Sequence, residues 1–333
     1  MFRVSRLQLK IKLLDEHAPP GFWGSRLRGG YGRVLKDYLC DHKEIEDCLA
    51  CPRFRECDYP RLFEPRRTVE ESRRAEAPLR DQTSLPRPFV IDIPRLFTKE
   101  QLEKKRLYFG FTLIGGLCER IEYPVTAFSI FGQMGIEAGE GRRARFLLED
   151  ARDLLGDGRS IFYGGAFNRV TARDVIDVAR ERGAQDQAPD GRAEPPREME
   201  IRFITPVRIE KEPFRDFYGL VYQLCNRVGG LWQLYGEDWP GQGGFHRWRN
   251  DLLKRSREVE TLSCELRDFN TFRFSHRQEE KQRMYGFIGI MRFGGNFAPF
   301  EELLRIGEIV HVGQQTGFGF GRYQMRASGQ GQQ

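Results

Sequence analysis

From Phe300 the chain reads FEELLRIGEIVHVGQQTGFGFGRYQMR, and four of the nine residues between Gly313 and Gly321 are glycine. Apolar spacing at Phe300, Leu303, Leu304 and Ile306 predicts a helix. Ile309, Val310 and Val312 predict a short strand, and Arg322, Tyr323 and Met325 a final one. Gly313, Gly317, Gly319 and Gly321 permit positive φ and let another backbone come close. Such a loop suits a polyanion lying across exposed N–H groups beside Arg322, or else it is a tight structural turn. Neither common phosphate loop fits, because no Gly-Lys-Ser/Thr follows the glycines and a strand, not a helix, comes next. ATP and NAD are therefore poor candidates, and a nucleotide-dependent enzyme is set aside.

The 333 residues suffice for two domains. Net charge is only +6, so composition alone does not indicate nucleic acid. Arginine clustering says more: Arg26, Arg28 and Arg33; Arg142, Arg143 and Arg145; Arg247, Arg249, Lys254 and Arg255; Arg273, Arg277, Lys281 and Arg283. The planar guanidinium suits phosphates and base edges, whereas the plainer reading is solvated helix faces. No apolar run is long enough to span a membrane, and MFRVSRLQLKIKLL alternates like a strand rather than a signal peptide. Seven cysteines, an odd number that includes a C-x-x-C, fit a cytoplasmic chain with a metal site better than a secreted disulfide framework.

Strand patterns cover residues 2–14, 89–93, 102–110, 143–148 and 160–163; helical spacing covers 22–39 and begins again at 113–121. Residues 183–197 are rich in Pro, Gly and charge and read as a linker. A second unit opens with Met199, Ile201 and Phe203, followed by a helix over 214–235 and strands near 261–274 and 285–293. Both halves thus run strand, helix, strands, an α+β pattern.

Cys40, Cys48, Cys51 and Cys57 form C-x7-C-x2-C-x5-C in a segment with few large apolar residues. Four thiolates so close fit a structural Zn²⁺ site, with an iron–sulfur cluster or free thiols as alternatives. Cys118, Cys225 and Cys264 lie among apolar residues and read as small buried hydrophobes.

The segment SHRQEEKQRMYGFIGIMRFGGNFAPFEELLRIGEIVHVGQQTGFGFGRYQM resembles the C-terminal signature of the CRISPR-associated RAMP endoribonucleases that process precursor CRISPR RNA, the Cas-six family. Leu27 to Arg33 (LRGGYGR) resembles the family's LRGxxG helix. Residues 48–63 (CLACPRFRECDYPRLF) resemble its cysteine-bearing insert, 113–146 its first glycine-bearing strand pair, and Ile204-Thr205-Pro206 its second-domain opening. The family usually has Lys where Gln314 stands. The resemblance implies two tandem ferredoxin-like (RAMP/RRM-like) βαββαβ domains. These would be 1–182, with a cysteine-rich insert at 40–63 after the first helix, and 198–326, ahead of a disordered tail at 327–333.

It also implies metal-free cleavage of precursor CRISPR RNA repeat hairpins by 2′-OH attack, leaving 2′,3′-cyclic phosphate and 5′-OH ends. Such a cut needs a base, an acid and cations. His42 is preferred as the base over His17, with Tyr31, Lys36 and Tyr38 as substitutes and Arg26, Arg28 and Arg33 for phosphate charge. RNA binding falls to Arg247, Arg249, His276, Arg277, Gln278, Gly313, Gln314, Gly317, Gly319, Gly321 and Arg322. His311, in its apolar run, reads as a packed core histidine. Partners would be the repeat RNA and other CRISPR effector subunits, with no direct DNA and no membrane. The competing readings are a non-cleaving RAMP subunit of an effector complex and a zinc-stabilised RNA-binding protein outside CRISPR.

Overall fold

The computed structural model describes residues 1–139, 141–163, 166–186, 197–209, 214–275 and 280–327. The chain forms two compact units, one of residues 2–173 and one running from Asp174 that also takes in Met1.

In the first unit the elements are β1 (Arg3–Leu13), α1 (Gly24–Leu39), α2 (Asp58–Leu62), α3 (Val69–Arg74), β2 (Phe89–Asp92), α4 (Lys99–Glu103), β3 (Arg106–Ile114), α5 (Glu122–Met134), β4 (Ile136–Gly139), β5 (Arg142–Ala144) and β6 (Phe146–Asp153). Three two-residue strands follow: β7 (Phe162–Tyr163), β8 (Ala166–Phe167) and β9 (Arg173–Asp174). The sheet order is β2-β3-β1-β6, with every pairing antiparallel and β9 added to β1. Alternation along β1 buries Leu7, Leu9, Ile11 and Leu13, while Gln8, Lys10 and Lys12 stay at least partly open on the other face. Gly115-Gly116 end β3 in a short 3-10 turn, which is why helix α5 begins at Glu122 and not near 113.

One aromatic cluster holds α1 on this sheet. The Tyr31 ring lies 5.3 Å from Phe128 of α5, stacked, and 5.2, 5.6 and 5.8 Å edge-on from Phe111, Phe89 and Phe63. The α1 glycines make room for these rings. A Cβ on Gly30 would lie 2.0 Å from the Phe131 ring, and one on Gly32 would lie 1.9 Å from Phe63.

The second unit contains α6 (Val175–Asp186), β10 (Glu198–Val207), α7 (Phe217–Tyr235), α8 (Gly241–Ser256), the long hairpin β11 (Glu260–Ser275) and β12 (Glu280–Gly294), α9 (Glu301–Val310) and β13 (Tyr323–Ala327). Its sheet order is β11-β12-β10-β13, again antiparallel. In both units the order is second, third, first, fourth among the helix-flanked strands. This is the ferredoxin-like βαββαβ arrangement, made twice.

Other local expectations also differ from the structure: the strand expected over 102–110 begins only at Arg106, because Thr98 caps helix α4 through Glu103. Ile309 and Val310 extend helix α9 instead of forming a strand, since an apolar run this short does not distinguish the two. Helix α8 opens with GQGG, which hides its periodicity. The compact units divide at Arg173/Asp174 and not near 182, because α6 packs on α9, where Arg180 Nη2 pairs with Glu302 at 2.9 Å. Of the expected linker, 183–186 continue α6 and 187–196 lie outside the described residues; of the expected tail, Ala327 ends β13 and 328–333 lie outside them. No described helix is long and apolar enough to cross a membrane.

Two stability measurements test this packing. Tyr31 is fully buried and its hydroxyl has no hydrogen-bond partner among the described residues. An unsatisfied buried hydroxyl costs about 1–3 kcal/mol, so Tyr31→Phe should raise unfolding stability by about that much in denaturant titration. Gly321 has φ +76°, and a Cβ there would lie 1.9 Å from the Val312 carbonyl oxygen. Gly321→Ala should lower the stability of the second unit by roughly 2–5 kcal/mol, the sum of left-handed strain and overpacking.

Candidate RNA-processing site

The expected site residues fall into two groups, one on each compact unit. In the first, α1 buries Leu27, Tyr31, Val34 and Leu35 and leaves an outward stripe through Arg26, Gly29, Arg33 and Lys36, spaced three and four apart. Arg33 is exposed and Lys36 half-buried. Arg26 is partly spent: its Nη1 donates to the Pro20 carbonyl at 2.8 Å, and burial lowers its pKa. The Arg28 guanidinium lies 4.4 Å over the Phe63 ring, so it also packs the helix. Tyr31, offered above as a substitute base, is unavailable in this structure: it lies wholly inside the aromatic cluster, and burial holds its hydroxyl pKa well above the ordinary value.

His17 is exposed ahead of α1 and His42 follows it. His42 Nδ1 lies 3.3 Å from Glu44 Oε1, and the His42 carbonyl accepts from the Ile45 N–H at 3.1 Å, which closes a turn around the ring. The Glu44 carboxyl is held below its ordinary pKa first by its own backbone N–H and then by His42. A carboxylate on Nδ1 fixes the tautomer and leaves Nε2 to take up a proton.

Cys40 caps the C-terminal end of α1, Cys48, Cys51 and Cys57 follow it, and none of the four is in a disulfide. Burial and then Glu64 push the Cys48 thiol up to about 11, with Cys40 and Cys57 adding to the rise; burial also raises Cys57, with Cys40 and Cys51 contributing. Yet among the described residues no three His, Cys, Asp or Glu side chains stand where they could hold a metal ion, so this geometry gives the zinc expectation no support.

In the second group the glycine-rich loop is not an open row of donors. Residues 316–321 are buried. The loop is stitched to the end of β10: Gly321 N–H donates to Pro206, Gln314 N–H to Arg208, and Arg322 N–H to Thr205 Oγ1, at 2.8, 2.8 and 3.0 Å. Gly319 N–H donates to Thr316, and Phe318 and Phe320 N–H to Gln315. Gly313, with φ +77°, passes so close to Arg208 that a Cβ would lie 2.4 Å from its carbonyl. His311 is buried, its Nδ1 2.9 Å from the Phe320 carbonyl, in keeping with a core histidine.

What the loop presents outward is half-buried Gln314, bridged to Arg208, whose guanidinium stacks 4.6 Å over Tyr285. Arg208 and Tyr285 were not among the expected site residues, although Arg208 directly follows the Ile204-Thr205-Pro206-Val207 motif. Phe272 on the long hairpin is 65 % exposed and was also missed. Arg247 is exposed on α8, while Arg249 leans 5.5 Å over Phe245. His276, Arg277 and Gln278 lie outside the described residues.

Comparison with known proteins agrees with this arrangement. Residues 201–323 match the family model described as CRISPR-associated endoribonuclease Cas6, and residues 2–175 match the AF_1859_N N-terminal domain model. An uncharacterized protein of Archaeoglobus fulgidus is 20 % identical over 330 residues, 98 % of each chain. Among solved structures, a Cas6 product complex of a Thermus thermophilus protein is 14 % identical with a TM-score of 0.51, covering 97 % of this chain and 99 % of that one. A partial Cas6-RT-Cas1–Cas2 complex is 14 % identical with a TM-score of 0.55, covering all of this chain and 47 % of that longer one. At such identities the structural likeness carries the fold, and the Cas6 model carries the family assignment: through residues 201–323 the chain belongs to the Cas6 family of CRISPR-associated endoribonucleases.

Proposed function

We propose that this protein matures CRISPR RNA by binding the repeat of the precursor transcript and cutting it once, without a metal ion. The observation that carries this reading is the match of residues 201–323 to the endoribonuclease Cas6 model on a twice-made ferredoxin-like frame. In the reaction His42 Nε2 takes the proton from the ribose 2′-OH while Glu44 steadies the ring through Nδ1. The 2′ oxygen attacks the adjacent phosphorus, the bond to the 5′ oxygen breaks, and that oxygen leaves as a 5′-OH after protonation. A 2′,3′-cyclic phosphate remains. Arg33 and Lys36, on the outward stripe of α1, supply positive charge for the phosphate as it becomes more negative. The Gln314–Arg208–Tyr285 patch and Arg247 of α8 hold RNA through phosphates and stacking.

The test uses the host's own repeat RNA in EDTA beside a copy carrying 2′-deoxyribose at the cut, with folding followed by circular dichroism. The ribose RNA should be cut and the deoxy copy should not. His42→Ala should slow cutting by roughly 10²–10⁴-fold, the usual range for a lost general base, with binding changed only a few-fold. RNA that stays bound but intact with the wild-type protein overturns the enzyme reading in favour of a non-cleaving guide-RNA subunit. Metal content of the purified protein tests the cysteine cluster separately.

A further inference from the structure

A ferredoxin-like sheet has one face covered by its helices and one left open. In the first unit the register arranges the open face as a grid. Leu147, Lys12 and Arg106 stand side by side across β6, β1 and β3, and Lys10 stands opposite Tyr108. Arg152, Gln8, Gly110 and Asp92 form the next row, extending onto β2. Towards Arg6 the face is closed, with Arg6 buried and paired to Asp92 at 3.5 Å. At the other end it is open: Tyr108 is 41 % and Leu147 54 % exposed.

The charges there are arranged around the ring. Lys10 and Arg106 both reach Glu149, at 3.0 and 3.5 Å, and Arg152 reaches Asp150 at 2.6 Å. Lys10, Lys12, Arg106 and Arg152, set against Glu149 and Asp150, leave an excess of two positive charges around an exposed ring. Gly110, two residues along the same face, places no side chain beside the ring. The open face of the second unit differs. Glu200 and Glu265 there neutralise Arg202 and Arg292, and Ile290 stands opposite Arg202 on β12.

We propose that the open end of the first sheet is a platform for unpaired RNA. One base stacks on Tyr108, Leu147 gives a neighbouring apolar contact, and Lys12, Arg106 and Arg152 meet the phosphates. An aromatic ring on a central strand ringed by cations is the arrangement by which a four-stranded sheet takes single-stranded RNA. The inference rests on the RNA-processing reading above and names a second contact region for the same substrate, distinct from the α1 stripe and the glycine-rich loop.

Binding of an unstructured RNA of about eight nucleotides, a span of the order one such fold covers, is measured by fluorescence anisotropy against salt, with ultraviolet cross-linking and peptide mapping. Tyr108→Ala should weaken binding about 5- to 150-fold, the loss of one stacked base, and Tyr108→Trp should preserve it. Lys12→Ala should lower the salt slope by about 0.7 unit, the value for one phosphate on a single strand. The cross-linked peptide should contain Tyr108. Tyr108→Ala binding that matches wild type, or a cross-link map without β3, overturns the platform while leaving the processing reading intact. Failure of the wild-type protein to bind or cut repeat RNA would instead overturn that reading and the platform with it.

Discussion

Five aromatic rings decide where α1 sits. Tyr31 meets Phe63, Phe89, Phe111 and Phe128 at 5.2–5.8 Å, and these come from the insert, two strands and α5. Once that cluster forms, the helix cannot rotate without breaking several edge-on and stacked contacts, each worth about 0.5–1.5 kcal/mol beyond its buried area. The stripe of Arg33 and Lys36 is therefore held outward, and His42 must emerge just past the helix end. The proposed base and the cations proposed to serve it owe their placement to apolar packing in which none of them takes part.

Much of this was legible in the sequence, for a physical reason. Strand β1 alternates with period two, and α7 carries a broad apolar stripe, so their types follow from burial alone. Helix α8 was not legible because three of its first four residues are glycine, a cost that packing on α7 helps to offset. Tyr31 and the Gly313–Gly321 loop misled for one shared reason. Residue type announces what a group can do, but burial decides whether it can do it. A tyrosine beside arginines reads as chemistry until its hydroxyl proves enclosed, and a run of glycines reads as an anion cradle until its N–H groups prove spent on β10 and on the loop itself.

The two units use one topology for different surfaces. In the second, the glycine-rich loop lets α9 and β13 close tightly on β10, and this brings Gln314 against Arg208 and Arg208 over Tyr285. In the first, the equivalent space is simpler, and the distinctive feature is the exposed ring on β3 among cations. A duplicated frame can thus offer one long substrate several unlike contacts, each built from side chains that the repeated backbone does not dictate.

Helix α6 carries a consequence in time. It buries Val175, Val178 and Ala179 as part of the second unit, yet Arg180 and its partner Glu302 are 122 residues apart. At a synthesis rate of about 5–20 residues per second, α6 leaves the ribosome about 6–25 seconds before the helix that will cover it. For that interval the first unit can already be complete while a short amphipathic segment trails from its end with its apolar side uncovered. The second unit therefore cannot close as it is made: its first helix has to wait, apolar side uncovered, until α9 has been synthesised to cover it.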